Sequence, residues 1–147
     1  MHNRLVCSAT GQEYPVDRLL NLSDAGKPLL ARYDLASLKD QFTVESVWQR
    51  TVRSMWRFQE VLPVDDAADA VSLGEGCTPL LKCRQAGPFA DFSSLYVKDE
   101  SFNPTGSFKA RGMSAAITRA KALGASVVAL PSAGNAAGAA TYYAAAA

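Results

Sequence analysis

Histidine is almost missing: His2 is the single one in 147 residues. A catalytic triad working through histidine, or a metal centre built from several histidines, is therefore nearly excluded. Cysteine is also scarce. Cys7, Cys77 and Cys83 are odd in number and far apart, which argues for reduced thiols rather than a disulfide framework. The opening "MHNRLVCSATGQEYP" lacks the apolar core of a signal peptide, and no later stretch is long and apolar enough to span a bilayer. A cytoplasmic location with no membrane partner is the expectation. Charge of one sign is lacking too, with a net value of +1 and no run of like charges, so nothing points to nucleic acid. What remains is 48% hydrophobic and 20% charged residues, the profile of a globular chain with one domain, or one plus a short extension.

Residues 1–43 are expected as an extension of short strands and turns, "LVC" and "YPV" alternating with "ATGQE" and "SDAGKP". Residues 44–147 form the second unit. Trp48, Val52, Met55, Trp56 and Leu62 follow helical spacing, with Arg50, Arg53 and Arg57 on another face and Pro63 as a stop. That pattern predicts one amphipathic helix with a solvated basic face. Gly74, Gly76 and Pro79 bend the backbone ahead of a short strand, Leu80–Arg84, and "QAGPF" is a turn. "SLYVKDE" is the next strand. A helix follows from about Ser107 to Leu123, carrying Met113, Ile117, Ala120 and Leu123 on one side and stopped by Gly124. "SVVALP" is expected as a buried strand and "SAGN" as the opening of a second helix. The β-α-β-α order predicts a parallel sheet with right-handed crossovers.

Two loops occupy equivalent places, each after a strand and before a helix: "NPTGSFK" and "SAGNAAG". At that edge of an open α/β sheet, ligands bind, and helix N-termini rich in Gly and Ser gather backbone N–H groups around an anion. Neither loop is a nucleotide fingerprint. The first lacks the Gly-x-x-x-x-Gly-Lys-Ser/Thr spacing, and the second has its glycines at the wrong separation. Lys109 sits oddly, because a helix start opposes a cation by up to about 1 kcal/mol. It is either a surface residue reaching back to water or a side chain needed as an amine.

In their order and spacing, "GEGCTPL", "VKDESFNPTGSFKARG" and "SAGNAAGAA" resemble pyridoxal-phosphate enzymes of the tryptophan-synthase-β-like fold, and among those most closely the threonine synthases. "WRFQEVLPV" is similar to the run-in of the same group. The resemblance implies an α/β fold and pyridoxal 5'-phosphate as cofactor, carried by Lys109 as an internal Schiff base. It implies Asn135 against the pyridine 3-oxygen and Phe108 beside the ring. The backbone of Ser132, Ala133 and Gly134 would receive the substrate carboxylate, and Thr78 and Lys98 would lie near the substrate. The implied substrate is O-phospho-L-homoserine, converted with water to L-threonine and phosphate, and a homodimer is allowed. A position that disfavours the cation would then be useful, since an amine must be neutral to attack an aldehyde. Threonine or serine dehydratase, or a non-catalytic remnant of the fold, are the alternatives.

Some relatives carry an amino-terminal zinc ribbon of paired Cys-x-x-Cys-Gly units. "LVCSATG" and "NLSDAGKPL" resemble a degenerate form of it, with Thr10, Leu22 and Ala25 where cysteines would stand. Four ligands cannot be assembled around Cys7 alone. The final "AAGAATYYAAAA" has high helix propensity and no stop signal, so the sequence is expected to be the front of a longer protein. Metal analysis of the purified protein is expected to find no stoichiometric zinc; one equivalent held at Cys7 would overturn this account of the amino terminus.

Overall fold

The computed structural model describes residues 3–84 and 87–147; His2, and Gln85 and Ala86 of the expected "QAGPF" turn, lie outside them. Three short strands open the chain: β1 (Asn3–Cys7), β2 (Glu13–Tyr14) and β3 (Leu29–Tyr33). They form an antiparallel sheet in the order β2-β1-β3, with Leu5 opposite Tyr14 and Ala31. Both connecting turns depend on glycine at positive φ, Gly11 at +72° and Gly26 at +66°, values that side chains with a Cβ seldom adopt. Strand β3 was not expected, because "LLARY" shows no clean apolar–polar alternation.

The two turns bring Cys7 Sγ to 3.1 Å from Ser23 Oγ, and the Thr10 N–H donates to the same sulfur at 3.5 Å. The partner of Cys7 is thus Ser23, whereas Leu22, where the ribbon-like spacing sets a cysteine, is exposed. The Ser23 bond, followed by bonds from Thr10 and Ala9, lowers the thiol pKa to about 6. Cys7 is only 2% exposed, yet its cover is a thin shell of loop, so burial opposes the thiolate weakly. Among the described residues no three His, Cys, Asp or Glu side chains converge as metal ligands.

The expected helix around Trp48–Leu62 is broken in two. Helix α1 (Leu35–Leu38) is capped by Asp34 and α2 (Val44–Trp48) by a reciprocal Thr43–Ser46 box. The chain then opens and resumes as a 3-10 helix, Met55–Val61. The reason is a tertiary bond. The Met55 N–H, which a continuous helix would give to residue 51, donates to the Glu75 carbonyl at 2.7 Å. Ser54 is extended there, its hydroxyl accepting from Trp56 N–H. Met55 and Trp56 turn inward, and Trp48 stays 70% exposed. Nor is the basic face simply solvated. Arg50 is paired with Glu60, and Arg57 donates to the Val47 carbonyl at 2.6 Å while lying over the Trp48 and Phe58 rings.

Strands β4 (Leu80–Lys82) and β5 (Tyr96–Lys98) pair antiparallel, Leu81 opposite Val97. Helix α3 spans Lys109–Ala122. It ends at Gly124 (φ +79°), with Ala125 N–H bonded to the Ala120 carbonyl and Gly124 N–H to that of Lys121, so both orphan carbonyls are satisfied. Helix α4 covers Asn135–Ala146. Between them the expected strand does not form: Val127 is 82% exposed, and residues 127–131 join no sheet. The expected parallel sheet is accordingly replaced, among the described residues, by two small antiparallel ones. A parallel strand requires a paired neighbour and cover on both faces, and this segment has neither here.

Two apolar clusters hold the helices. Val71, Ala110, Ile117 and Tyr143 make one, with Met113 against it; Met55, Trp56 and Val64 make the other. The ends of α4 and α3 lie together, since Ala144 and Ala147 line the same hollow as Ile117, Ala120 and Lys121. The two helices therefore run in the same sense and begin at the same end. The amino-terminal sheet seats on the outer side of α3, where Arg119 donates to the Val16 carbonyl and Leu5, Leu20 and Tyr33 face Ala116 and Leu123.

The loop before β4 is tight: Gly74, Gly76 and even Cys77 (φ +48°) take positive φ. A Cβ on Gly76 would stand 2.7 Å from the Met55 backbone nitrogen, whereas one on Gly74 would meet nothing within 4 Å. Gly76→Ala is expected to cost about 2 kcal/mol or more and Gly74→Ala about 1 kcal/mol, read from urea unfolding curves. Equal losses would show that conformation, not the close approach to Met55, sets the requirement at Gly76.

Candidate active site

The segment before α3 is built residue by residue. Pro104 keeps Asn103 extended (φ −66°, ψ 153°). Buried Asn103 then bonds three ways: its Oδ1 accepts from Gly76 N–H at 3.0 Å, and its Nδ2 donates to the carbonyl and to Oε2 of Glu100. Gly106 (φ +69°) closes the turn with its N–H on the Asn103 carbonyl at 2.8 Å. Ser107 Oγ accepts from Lys109 N–H at 3.3 Å, a side-chain bond to the start of the helix, while Phe108 takes the capping position with no side-chain bond of its own.

Lys109 is thus the first residue of α3. Its amine lies 4.4 Å from the centre of the Phe108 ring and takes no hydrogen bond or ion pair among the described residues. The cations around it are committed elsewhere. Arg111 grips Glu100 with two bonds, Nε to Oε2 at 2.6 Å and Nη2 to Oε1 at 2.9 Å. That guanidinium, helped by Thr78 and Asn103 and opposed by burial, holds the Glu100 carboxyl down at about 2.

Of the other expected site residues, Phe108, Ser132, Ala133, Gly134 and Asn135 are all exposed. The last four open α4, where Gly134 is an extended cap without a side-chain bond. Among the described residues the first-turn N–H groups of α4 have no side-chain partner, a ready anion seat. Because α3 and α4 start at the same end, the two loops share one edge of the molecule. Thr78 and Lys98 are brought to each other, with Lys98 Nζ donating to the Thr78 carbonyl. The Thr78 hydroxyl is buried and donates to Glu100 Oε1 at 2.6 Å.

Sequence reasoning missed two carboxylates. Glu100 and Arg111 stand at either end of "ESFNPTGSFKARG", and their opposite charge was the available signal. Glu75 gave none. It is 0% exposed and receives bonds from Trp56 Nε1 (2.8 Å), Ser114 Oγ (2.6 Å), Ser72 Oγ (3.1 Å), Tyr143 OH (2.6 Å) and Leu73 N–H (2.9 Å). Burial is the largest single influence and raises its pKa, but the hydrogen bonds from Ser114, Tyr143 and the backbone together outweigh it, and the group is held below its usual value. It stays ionised, as a group ringed by donors must.

A family model described as pyridoxal-phosphate dependent enzyme matches residues 71–147, just over half of the chain, and takes in Glu75, Thr78, Lys109 and Asn135. The chain belongs to the pyridoxal-phosphate-dependent enzymes. Among curated proteins it is similar to the threonine synthase of Methanocaldococcus jannaschii, 42% identical over 129 residues, which is 88% of this chain and 32% of that protein. It is also similar to the threonine synthase of Methanosarcina acetivorans, 38% identical over 140 residues, 95% of this chain and 33% of that protein. For the Synechocystis threonine synthase the figures are 43% over 88 residues, 59% and 23%. The chain spans about a third or less of the length of these relatives.

The residues present fit the cofactor of this enzyme family. An amine without a salt bridge heads one helix and an uncapped N-terminus heads its neighbour, which suit an aldehyde and an anion respectively.

Glu75 and Glu100 have folded-state pKa values depressed below the ordinary glutamate value of about 4.3. Their stabilisation is complete above that value and drains away as pH falls through each folded-state value, which for Glu100 is about 2. Arg111→Met is expected to raise the folded-state value of Glu100 and move the acid-unfolding midpoint upward by up to about one pH unit, followed by circular dichroism. An unmoved midpoint would remove Arg111 from this account.

Proposed function

We propose that the chain is the amino-terminal third of a threonine synthase, which makes L-threonine and phosphate from O-phospho-L-homoserine and water. The observation that carries this reading is the unpaired amine of Lys109 at the head of α3, opening on the same edge as the uncapped start of α4. The likeness to threonine synthases, 38–43% identical, supports the choice within the family. Residues 1–43 are then a ribbon-like extension closed by the Cys7–Ser23 bond in place of zinc, and 44–147 the beginning of the catalytic domain. A cytoplasmic enzyme agrees with the described residues, which include no helix long and apolar enough to cross a membrane.

Pyridoxal phosphate, when bound, supplies an electron sink for carbanion chemistry. The rest falls to the protein. Lys109 would hold the cofactor through its amine and, as a free amine, would take and return protons at the substrate carbons. Phe108, exposed beside that amine, and Asn135, at the head of α4, would help to hold the cofactor in place. The N–H groups of Ser132, Ala133 and the first α4 turn would receive the substrate carboxylate, with that of Gly134 once its 3.3 Å bond to Ser132 Oγ is exchanged. Thr78 and Lys98 line the approach. For either to touch substrate, its bond to Glu100 or to the Thr78 carbonyl must be exchanged.

Borohydride reduction of the whole enzyme with its cofactor is expected to fix a pyridoxyl group on Lys109. Lys109→Ala is expected to lower threonine formation by about a thousandfold or more. A label on another lysine, or ammonia release from threonine in place of phosphate release from O-phosphohomoserine, would refute the assignment.

A further inference from the structure

The roles above leave Glu75 without a task, although it is the most completely enclosed charged side chain described. Its partners come from four separate places. Ser72 and Leu73 belong to its own loop, Trp56 to the 3-10 helix, Ser114 to α3 and Tyr143 to α4. Oε1 takes Ser114 and Oε2 takes Tyr143, so the carboxylate plane is a two-ended gauge between the helices. Little else sets their register. The buried face of α4 is Ala139, Ala140 and Tyr143, and two of these are too small to interlock with a neighbour. Tyr143 alone is bulky there, and its hydroxyl ends on Glu75.

The same residue reaches the Lys109 loop by a second path. The Glu75 carbonyl holds Met55 N–H, and the next residue, Gly76, gives its N–H to Asn103, five residues before Phe108. We propose that Glu75 is a positioning residue: by holding Ser114 of α3 and Tyr143 of α4 on its two oxygens, it sets Lys109 and Asn135, at the heads of those helices, in register for one cofactor. This rests on the reading of Lys109 and Asn135 as cofactor residues. Directional bonds to a rigid carboxylate suit such a task, because displacement of a reacting group by an ångström costs rate steeply.

The test uses the whole enzyme and its Glu75→Gln, Tyr143→Phe and Ser114→Ala variants. Glutamine offers an N–H₂ to a ring of donors, and phenylalanine keeps the packing while removing one bond. Cofactor affinity is measured by absorbance titration of the cofactor-free protein, alongside kcat, KM and far-ultraviolet circular dichroism. Tyr143→Phe is expected to keep the wild-type spectrum, bind cofactor about tenfold or more weakly, and lose kcat more than it changes KM. Glu75→Gln should be affected further, in the same direction. Folded variants with a lowered thermal midpoint but wild-type cofactor affinity and kcat would overturn the proposal and leave Glu75 a stabilising group only. If Glu75→Gln fails to fold, Tyr143→Phe decides by the same measure. A wild-type protein that takes up no cofactor would instead sink the underlying reading of Lys109, and this proposal with it.

Discussion

A carboxylate shut away from water is the constraint on which this structure turns. An isolated charge in a low-dielectric interior is too costly to persist, so Glu75 must be surrounded by donors, and they must come from wherever the chain can supply them. Here they come from the 3-10 helix, from its own loop and from both long helices. The two apolar clusters lie on either side of it. Apolar packing attracts without direction, whereas five hydrogen bonds on two oxygens allow few arrangements. Removing a partner leaves a buried charge under-satisfied, which makes the arrangement a strict one.

Glu100 shows the other solution to the same problem. It is part-exposed and matched by a cation, with Arg111 bidentate on it and Thr78 and Asn103 completing the shell. The division matters for Lys109. Glu100 already has its partners, and among the described residues the Lys109 amine has no carboxylate bonded to it and lies over the Phe108 ring. A free amine at a helix start follows from saturating its neighbours as much as from placing the lysine.

How much of this the sequence disclosed depends on the range of the forces concerned. Gly124 as a helix stop and the apolar face with Met113 and Ile117 are local effects, and both were legible. The helix expected through Trp48 and Leu62 failed because Met55 N–H prefers a carbonyl twenty residues away, and periodicity carries no information about that bond. Arg50 and Arg57 looked like a solvated stripe for the same reason: Glu60 and the Val47 carbonyl become their partners only after the chain has broken. In the site, Lys109 and the two loops were visible as motifs. Glu75 was hidden among glycines as one more acidic residue, with Ser114 and Tyr143 distant in sequence. Thr78 was set near the substrate by the family resemblance alone, and nothing in the sequence marked its hydroxyl as turned to Glu100.

The strand expected at "SVVALP" marks the limit of what this stretch of sequence organises for itself. Helices satisfy their backbone internally, so α3 and α4 form and pack without a sheet beneath them. A sheet strand must borrow its hydrogen bonds from another strand, and Val127, Val128 and Leu130 stay exposed without one. The β4–β5 pair repeats the pattern, with Leu80, Leu81, Tyr96 and Val97 uncovered. Helix starts and side-chain networks are therefore in place while the sheet is not. Lys109 and the start of α4 take their positions from turns and from the Glu75 bonds to Ser114 and Tyr143 rather than from strand pairing. On this reasoning the heads of α3 and α4 are organised by the helices and their side-chain bonds, and Val127, Val128 and Leu130 beside them stay exposed for want of a strand partner among the described residues.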